Sequence, residues 1–111
     1  MKPRDLMAIK KFKVLSEGNN LDREISLPYC CDLLSVAMAN MPAGAAWVTV
    51  MGNVNTLAVA TLTDATCIIL AGGTSLDELG LKKAKEQGIT VFKTEFPIFE
   101  AALQVHKNLI E

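Results

Sequence analysis

Three short polar turns follow apolar stretches of this sequence, and they are the residues best suited to hold a ligand. Each turn precedes a segment of helical periodicity, so free backbone N–H groups and the positive end of a helix dipole would face an anion. Glycine lets a ligand approach the backbone, and asparagine and threonine side chains can form hydrogen bonds. An anion or nucleotide phosphate is the compatible ligand, and the candidate contacts are Gly52, Asn53, Asn55, Gly72, Gly73, Thr74 and Thr94.

A structural role explains the same turns equally well, because asparagine and threonine cap helices and glycine makes tight turns. Arg23 is one of only two arginines and also has two interpretations. It would either form a salt bridge with the adjacent Asp22, pinning the N-terminal segment, or reach an anion as a further ligand contact. The sequence leaves both alternatives open.

Signatures of catalysis or metal binding are absent from the sequence. It contains neither G-x-x-x-x-G-K-[ST] nor G-x-G-x-x-G, so no kinase or NTPase core is expected. His106 is the only histidine, and the adjacent Cys30 and Cys31 lack the C-x-x-C spacing of zinc or iron–sulfur sites. Cys67 lies in an apolar stretch and is predicted to be a small core residue. We therefore expect no catalytic residues, no metal and no cofactor.

Composition limits the classes of protein further. The 111 residues are predicted to form one domain over 1–111, and 50% hydrophobic content disfavours disorder. A net charge of −1 and 5% aromatics give no electrostatic or stacking surface for nucleic acid. We expect no membrane span, because no apolar run approaches roughly 18 residues. A charged N-terminal stretch and an odd number of cysteines, three, predict a reduced, cytoplasmic protein.

The turns are positioned by a predicted β-α-β-α-β-α arrangement over about residues 46–110. Strands are predicted at 47–50, 67–70 and 89–92, since these segments are apolar and suit a sheet buried on both faces. Short connections imply parallel strands with right-handed crossovers. The second helix is predicted to begin with a capping box of Ser75 and Glu78 and to end at Gly88. The first helix would bury Val54, Leu57, Ala58, Thr61 and Leu62, and the last would bury Ile98, Phe99, Ala102, Val105 and Leu109.

The first half of the chain adds peripheral elements to this α/β domain. A short helix is predicted over 2–11, a short strand over 12–15, and a half-buried strand over 25–29 whose Pro28 places it at an edge. Asp32 is the predicted N-cap of a helix to about Met41, which is apolar enough to be well buried. The predicted fold is thus a single α/β domain, a mainly parallel sheet with an N-terminal helix and one or two edge strands.

Several segments together resemble the DRTGG domain family over nearly the whole chain, from about Asp5 to about Leu109. The family is named for an Asp-Arg and a Thr-Gly-Gly signature, which match Asp22-Arg23 and Gly72-Gly73 here. Ala71 stands where the threonine is expected, and Thr74 follows shortly after. The other matching segments are Leu21 to Ile25, Trp47 to Thr49 with Gly52-Asn53, Ile68 to Gly73, Gly88-Ile89 and Thr94.

The resemblance implies an α/β fold similar to the N-terminal domain of HPr kinase/phosphorylase, without its catalytic core. DRTGG domains occur fused to CBS-domain pairs in regulated pyrophosphatases and to phosphotransacetylases, which implies a regulatory or assembly role. Stand-alone members are often encoded near iron-only hydrogenase and electron-transfer subunits. The family has no established catalytic residues to transfer.

These observations predict a non-catalytic regulatory or assembly module that self-associates, with a dimer favoured, and binds a small anionic ligand such as a nucleotide. An apolar edge strand or helix would be its natural interface. The alternatives are an accessory protein of a hydrogenase or electron-transfer complex, implied by the resemblance alone, and a minor enzyme activity at the carboxyl edge of the sheet.

Overall fold

The protein forms an α/β sandwich in a computed structural model that describes residues 1–109. Its elements in chain order are α1 (Pro3–Met7), β1 (Phe12–Ser16), β2 (Pro28–Cys30), α2 (Leu34–Asn40), β3 (Ala46–Thr49), α3 (Val54–Leu62), β4 (Cys67–Leu70), α4 (Glu78–Gln87), β5 (Val91–Thr94) and α5 (Ile98–Leu109).

The five strands make one sheet in the order β1-β5-β4-β3-β2. Strands β2 to β5 are parallel to one another, and β1 pairs antiparallel with β5. The predicted parallel β-α-β-α-β-α unit is confirmed over the described residues, while residue 110 lies outside them. The two predicted peripheral strands are β1 and β2, and they form the two edges of the sheet.

Side chains alternate along each central strand between two apolar cores. Val48, Ile69 and Phe92 lie in the core that contains Leu6 of α1 and Val105 of α5. Trp47, Ile68 and Leu70 lie in the core beneath α2, α3 and α4. All three strands are buried on both faces, which is why their sequences are continuously apolar rather than alternating.

Helix α3 buries other residues than the sequence pattern predicts. It buries Thr56, Leu57, Val59 and Ala60, whereas Leu62 is 73% exposed, so the predicted stripe was wrong except at Leu57. In α5 the predicted inward face is confirmed at Val105, which is buried, and at Ile98, Ala102 and Leu109, which pack against the core. The prediction for α5 was wrong at Phe99, which is 68% exposed. In α3 several stripes are apolar, so periodicity alone does not identify the one that packs on the sheet.

The predicted well-buried helix after Asp32 was also wrong in its burial. Helix α2 buries only Ala37, and Leu33, Val36 and Met38 are 58%, 39% and 43% exposed. It packs against α3, and Ala37 and the following Met41 are the buried residues that it adds to the core. The capping box of Ser75 and Glu78 was wrong as well, because α4 begins at Glu78 with Asp77 as its N-cap.

Candidate functional site at the carboxyl edge of the sheet

The three predicted turns contact one another at the carboxyl edge of the parallel strands. A Cβ built on Gly52 would lie 2.4 Å from the carbonyl oxygen of Ser75, and one on Gly73 would lie 3.0 Å from Glu95 Oε1. The Gly73 N–H donates to the Thr94 carbonyl at 2.9 Å. We call residues 50–55, 71–76 and 93–96 the rim. The topology predicted this convergence, because parallel strands deliver their following turns to one edge.

Gly72 and Gly73 make the central turn of the rim with φ values of +64° and +78°. Residues with a side chain rarely adopt these values, so the backbone conformation of the turn explains why both residues are glycine. The turn is tied to the next strand by the Gly72 N–H, which donates to the Phe96 carbonyl at 2.8 Å. Gly72 is exposed, and the nearest atom to a Cβ there would be Val50 Cγ1 at 3.9 Å, so its surface is open.

Two of the candidate side chains are occupied by structural hydrogen bonds. Asn53 Oδ1 accepts from the N–H groups of Asn55 and Thr56 at 2.9 and 3.2 Å, as a helix N-cap does. Thr94 is buried, and its hydroxyl oxygen accepts from the Phe96 N–H at 3.2 Å. Asn55 is exposed and its side chain forms no hydrogen bond with the residues described, so it is the freest polar side chain among the candidates.

The helix ends around the rim are less electropositive than the sequence predicts. Helix α4 begins only at Glu78, beyond the Gly72–Ser75 turn, and Asp77 Oδ1 accepts from the Gly80 N–H at 2.7 Å at its N-terminus. The Glu95 carboxylate lies against Gly73. The dipole of α3 is therefore the one that begins within the rim, and two carboxylates offset the positive ends of the others.

Asp32 borders the rim through a hydrogen bond to Val50, and the sequence interpretation misassigned it. It does not cap α2, whose N-cap is Leu33. Its Oδ1 accepts from the Thr49 hydroxyl at 2.6 Å and from the Val50 N–H at 3.0 Å, which joins the loop after β2 to the end of β3. The position of Asp32 directly after an edge strand could have indicated this role, because a residue that follows a parallel strand lies at the carboxyl edge of the sheet.

Three lysines lie at one end of the rim, and the sequence interpretation did not group them. Lys11, Lys13 and Lys93, which we call the lysine cluster, line a cavity of about 80 Å³ together with Thr94 and Glu95. Lys13 and Lys93 are directly paired across β1 and β5. The antiparallel pairing of β1 with β5 was not predicted, and without it no sequence pattern places residue 13 beside residue 93.

Arg23 lies at the opposite edge of the sheet and does not belong to the rim. Its guanidinium binds both carboxylate oxygens of Asp64, at 2.8 and 3.0 Å, in the loop that leads into the amino end of β4. Asp22 instead pairs with Arg4 at 2.7 Å, so the predicted Asp22–Arg23 salt bridge was wrong. Hydrogen bonding from Arg23 lowers the pKa of the Asp64 carboxyl. Arg23 thus pins the N-terminal segment through a different aspartate.

A cavity of about 190 Å³, larger than the one beside the lysine cluster, also lies at this amino edge. Two polar side chains on its wall already have partners, since Asn20 Nδ2 donates to the Thr66 carbonyl at 3.2 Å and Asp64 holds Arg23. None of the predicted ligand contacts lines this cavity, so it is not the predicted site. The rim is an open surface, so a ligand of nucleotide size would lie across it rather than inside a closed pocket, which usually measures about 300 Å³ or more.

The described residues offer little for nucleophilic or metal chemistry. Burial raises the pKa of the Cys67 thiol to about 12, which keeps it protonated as a core residue. Residues 1–109 contain no group of three His, Cys, Asp or Glu side chains able to hold a metal ion. Within the same range, every helix is too short or too polar to cross a membrane.

Comparison with known proteins reveals a similarity of fold. No family model and no curated protein matches the sequence. A similar solved structure is that of the CBS and DRTGG domains of the regulatory region of Clostridium perfringens pyrophosphatase, complexed with its activator, diadenosine tetraphosphate. The TM-score is 0.62 at 13% identity, over 89% of this chain and 42% of that chain. This chain thus spans less than half of that structure, and the similarity shows a related fold.

Proposed function

We propose that this domain is a non-catalytic regulatory module of the DRTGG type that binds a small anionic ligand, such as a nucleotide, at the rim. The contact of Gly52 with Ser75 and of Gly73 with Glu95 carries the proposal, because it brings three ligand-accessible turns into one surface. The fold match supports the DRTGG assignment.

Backbone groups of the first turn supply the best contacts for an anion. In the part of the chain that the structure describes, the N–H groups of Gly52, Asn53 and Val54 have no hydrogen-bond acceptor. Successive free N–H groups at the start of a helix make an anion-binding concavity. Asn55 and Thr74 flank this turn and can bind the neutral part of the ligand.

Adenine nucleotides are the first ligands to test. The regulatory region of similar fold binds diadenosine tetraphosphate, which combines adenine rings with a polyphosphate. Exposed apolar side chains near the rim, Val50 at 42% and Leu79 at 55%, offer a surface for a base, while the turns offer donors for phosphate. The ligand class follows from this pairing of apolar and N–H groups.

Ligand-induced thermal stabilisation tests the proposal. A ligand that binds only the folded state raises the unfolding temperature with its concentration. AMP, ATP and diadenosine tetraphosphate should stabilise the wild type, and Asn55→Ala should reduce the shift at equal concentration. The matched control is Asn108→Ala on α5, which should leave the shift unchanged. No shift with any nucleotide, or an equal loss in both variants, would contradict ligand binding at the rim.

We also propose that the module self-associates through α2 and the neighbouring edge strand β2. Leu33 and Val36, three residues apart at the start of α2, leave exposed apolar side chains, and β2 pairs with β3 on one side only. Monomeric proteins rarely expose contiguous apolar patches of large area, and such patches mark interaction surfaces.

Light scattering at micromolar concentration tests the interface. Val36→Glu should convert a dimer to monomer, whereas Leu79→Glu, on the distant helix α4, should leave the dimer intact. A wild type that is monomeric at these concentrations would contradict self-association without affecting ligand binding.

A further inference from the structure

The lysine cluster contains an unfavourable arrangement of charge. Lys13 and Lys93 are direct partners in the antiparallel β1–β5 ladder. Directly opposed residues project to the same face with Cβ atoms about 5 Å apart, and like charges there are destabilising. Lys11 adds a third ammonium group to the same cavity and lies 5.5 Å from the centroid of the Phe96 ring.

None of the three ammonium groups is neutralised by a carboxylate of residues 1–109. The ion pairs in this part of the chain join the N-terminus to Glu24, Arg4 to Asp22 and Arg23 to Asp64. Glu95 also lines the cavity, but both of its carboxylate oxygens lie against Gly73. The cluster therefore presents three positive charges toward one small concavity.

We propose that the lysine cluster is a binding site for one tetrahedral oxyanion, a phosphate or phosphoryl group. An oxyanion between Lys13 and Lys93 would offset their repulsion and accept charge-assisted hydrogen bonds from both. The cavity of about 80 Å³ has room for a few water-sized groups and excludes a whole nucleotide. The site therefore takes free phosphate, or the terminal phosphoryl group of a ligand whose remainder lies on the rim.

The second alternative rests on the proposed function, since it extends the rim ligand toward Thr94. In this case the charged phosphoryl group of the ligand binds at the lysine cluster and not at the turn that contains Gly52. Asp77 weakens the positive potential at the Gly72–Ser75 turn, whereas three lysines outnumber the one carboxylate, Glu95, around the lysine cavity. Coulomb attraction therefore favours the lysine end of the rim for a phosphoryl group. The turn at Gly52 would then bind the less charged part of the ligand.

A phosphate titration followed by amide NMR tests the site on the whole chain. Inorganic phosphate, added at constant ionic strength against chloride, should cause saturable shifts at Lys13, Lys93 and Thr94. Lys13→Gln and Lys93→Gln should each weaken the apparent affinity at least tenfold, and Lys107→Gln on α5 should not change it. In phosphate-free buffer, Lys13→Gln should unfold at the wild-type temperature or higher, because a like-charge pair is removed.

Equal affinity in all variants, or shifts that rise linearly without saturation, would overturn the oxyanion site. Titrations with AMP and with adenosine separate this inference from the proposed function. If AMP shifts the amide signals of the rim but phosphate shifts none at the lysines, the oxyanion site is rejected and ligand binding at the rim is retained. The opposite result is saturable phosphate binding at the lysines, AMP binding that is no tighter than phosphate binding, and no shift at Gly52 or Asn55. This result would retain the oxyanion site and reject nucleotide binding at the rim.

Discussion

The backbone of Gly52 lies against the carbonyl oxygen of Ser75 so closely that no side chain fits between them. A Cβ on Gly52 would lie 2.4 Å from that oxygen and 3.3 Å from Thr74 Cγ2. Two turns that are separated in sequence by the whole of α3 and β4 thus form one surface. The rim depends on this contact more than on any single ligand-facing side chain.

Gly52→Ala should separate these turns and destabilise the protein. The nearest atom is backbone, which moves less easily than a flexible side chain, so we expect a loss of about 1–3 kcal/mol in the free energy of unfolding. Chemical denaturation measures this change. Nucleotide-induced stabilisation should fall in the same variant. A wild-type free energy of unfolding in Gly52→Ala would show that the two turns do not contact as described.

Asp32 should stabilise the rim through its acceptor oxygen rather than as a helix cap. Asp32→Ala removes the acceptor for the Thr49 hydroxyl and the Val50 N–H, and we expect a loss of about 1–2 kcal/mol. Asp32→Asn keeps an amide oxygen and should lose less than half of that amount. Equal losses in the two variants would point to charge instead of hydrogen bonding.

Two buried threonines should respond oppositely to replacement by valine. The Thr56 hydroxyl is buried without a hydrogen-bond partner in residues 1–109, so Thr56→Val should raise the free energy of unfolding by about 1 kcal/mol. The Thr49 hydroxyl binds Asp32 and the Met51 N–H, so Thr49→Val should lower it by about 1–2 kcal/mol. Urea unfolding measures the free energy of unfolding of both variants. A decrease in both variants would contradict the expected difference between the two threonines.

Asp64 should make the stability of the folded protein depend on pH in the acidic range. Its pKa is lowered by the hydrogen bond from Arg23, below the ordinary value of 3.8. A group with a lowered folded-state pKa stabilises the protein above its ordinary pKa, and that contribution is lost as pH falls through the lowered pKa.

Asp64→Asn should therefore show a shallower loss of stability than the wild type below about pH 4. The change preserves the backbone, because residue 64 has φ +61° and asparagine tolerates this value. Glu86→Gln on α4, which removes a carboxylate charge elsewhere in the chain, is the control variant. Thermal unfolding across this pH range provides the measurement, and identical slopes for wild type and Asp64→Asn would contradict the assignment.

The central strands could be predicted because each is a short apolar run bounded by turn residues, as in Cys67–Leu70 before the Gly-Gly pair. Their parallel direction then followed from short helical connections. The convergence of the three turns was a consequence of this topology. The burial of α3 could not be predicted in the same way, since Leu57, Val59 and Leu62 are all apolar and only packing on the sheet distinguishes them.

Long-range polar contacts were the other part that sequence reasoning missed. Arg23 pairs with Asp64 across 41 positions, although Asp22 is adjacent in sequence. Asp32 binds Thr49 across 17 positions instead of capping the helix that follows it. Local preference suggests the nearest partner, but the fold decides which charges meet, so these contacts require the assembled sheet.

Mapping the binding of AMP by amide NMR tests the central claim most directly. The account predicts saturable shifts at Gly52, Asn55, Gly72 and Thr74, with the residues around Asn20 and Asp64 at the amino edge unchanged. Shifts confined to the amino-edge cavity, or no saturable shift anywhere, would contradict a ligand-binding rim.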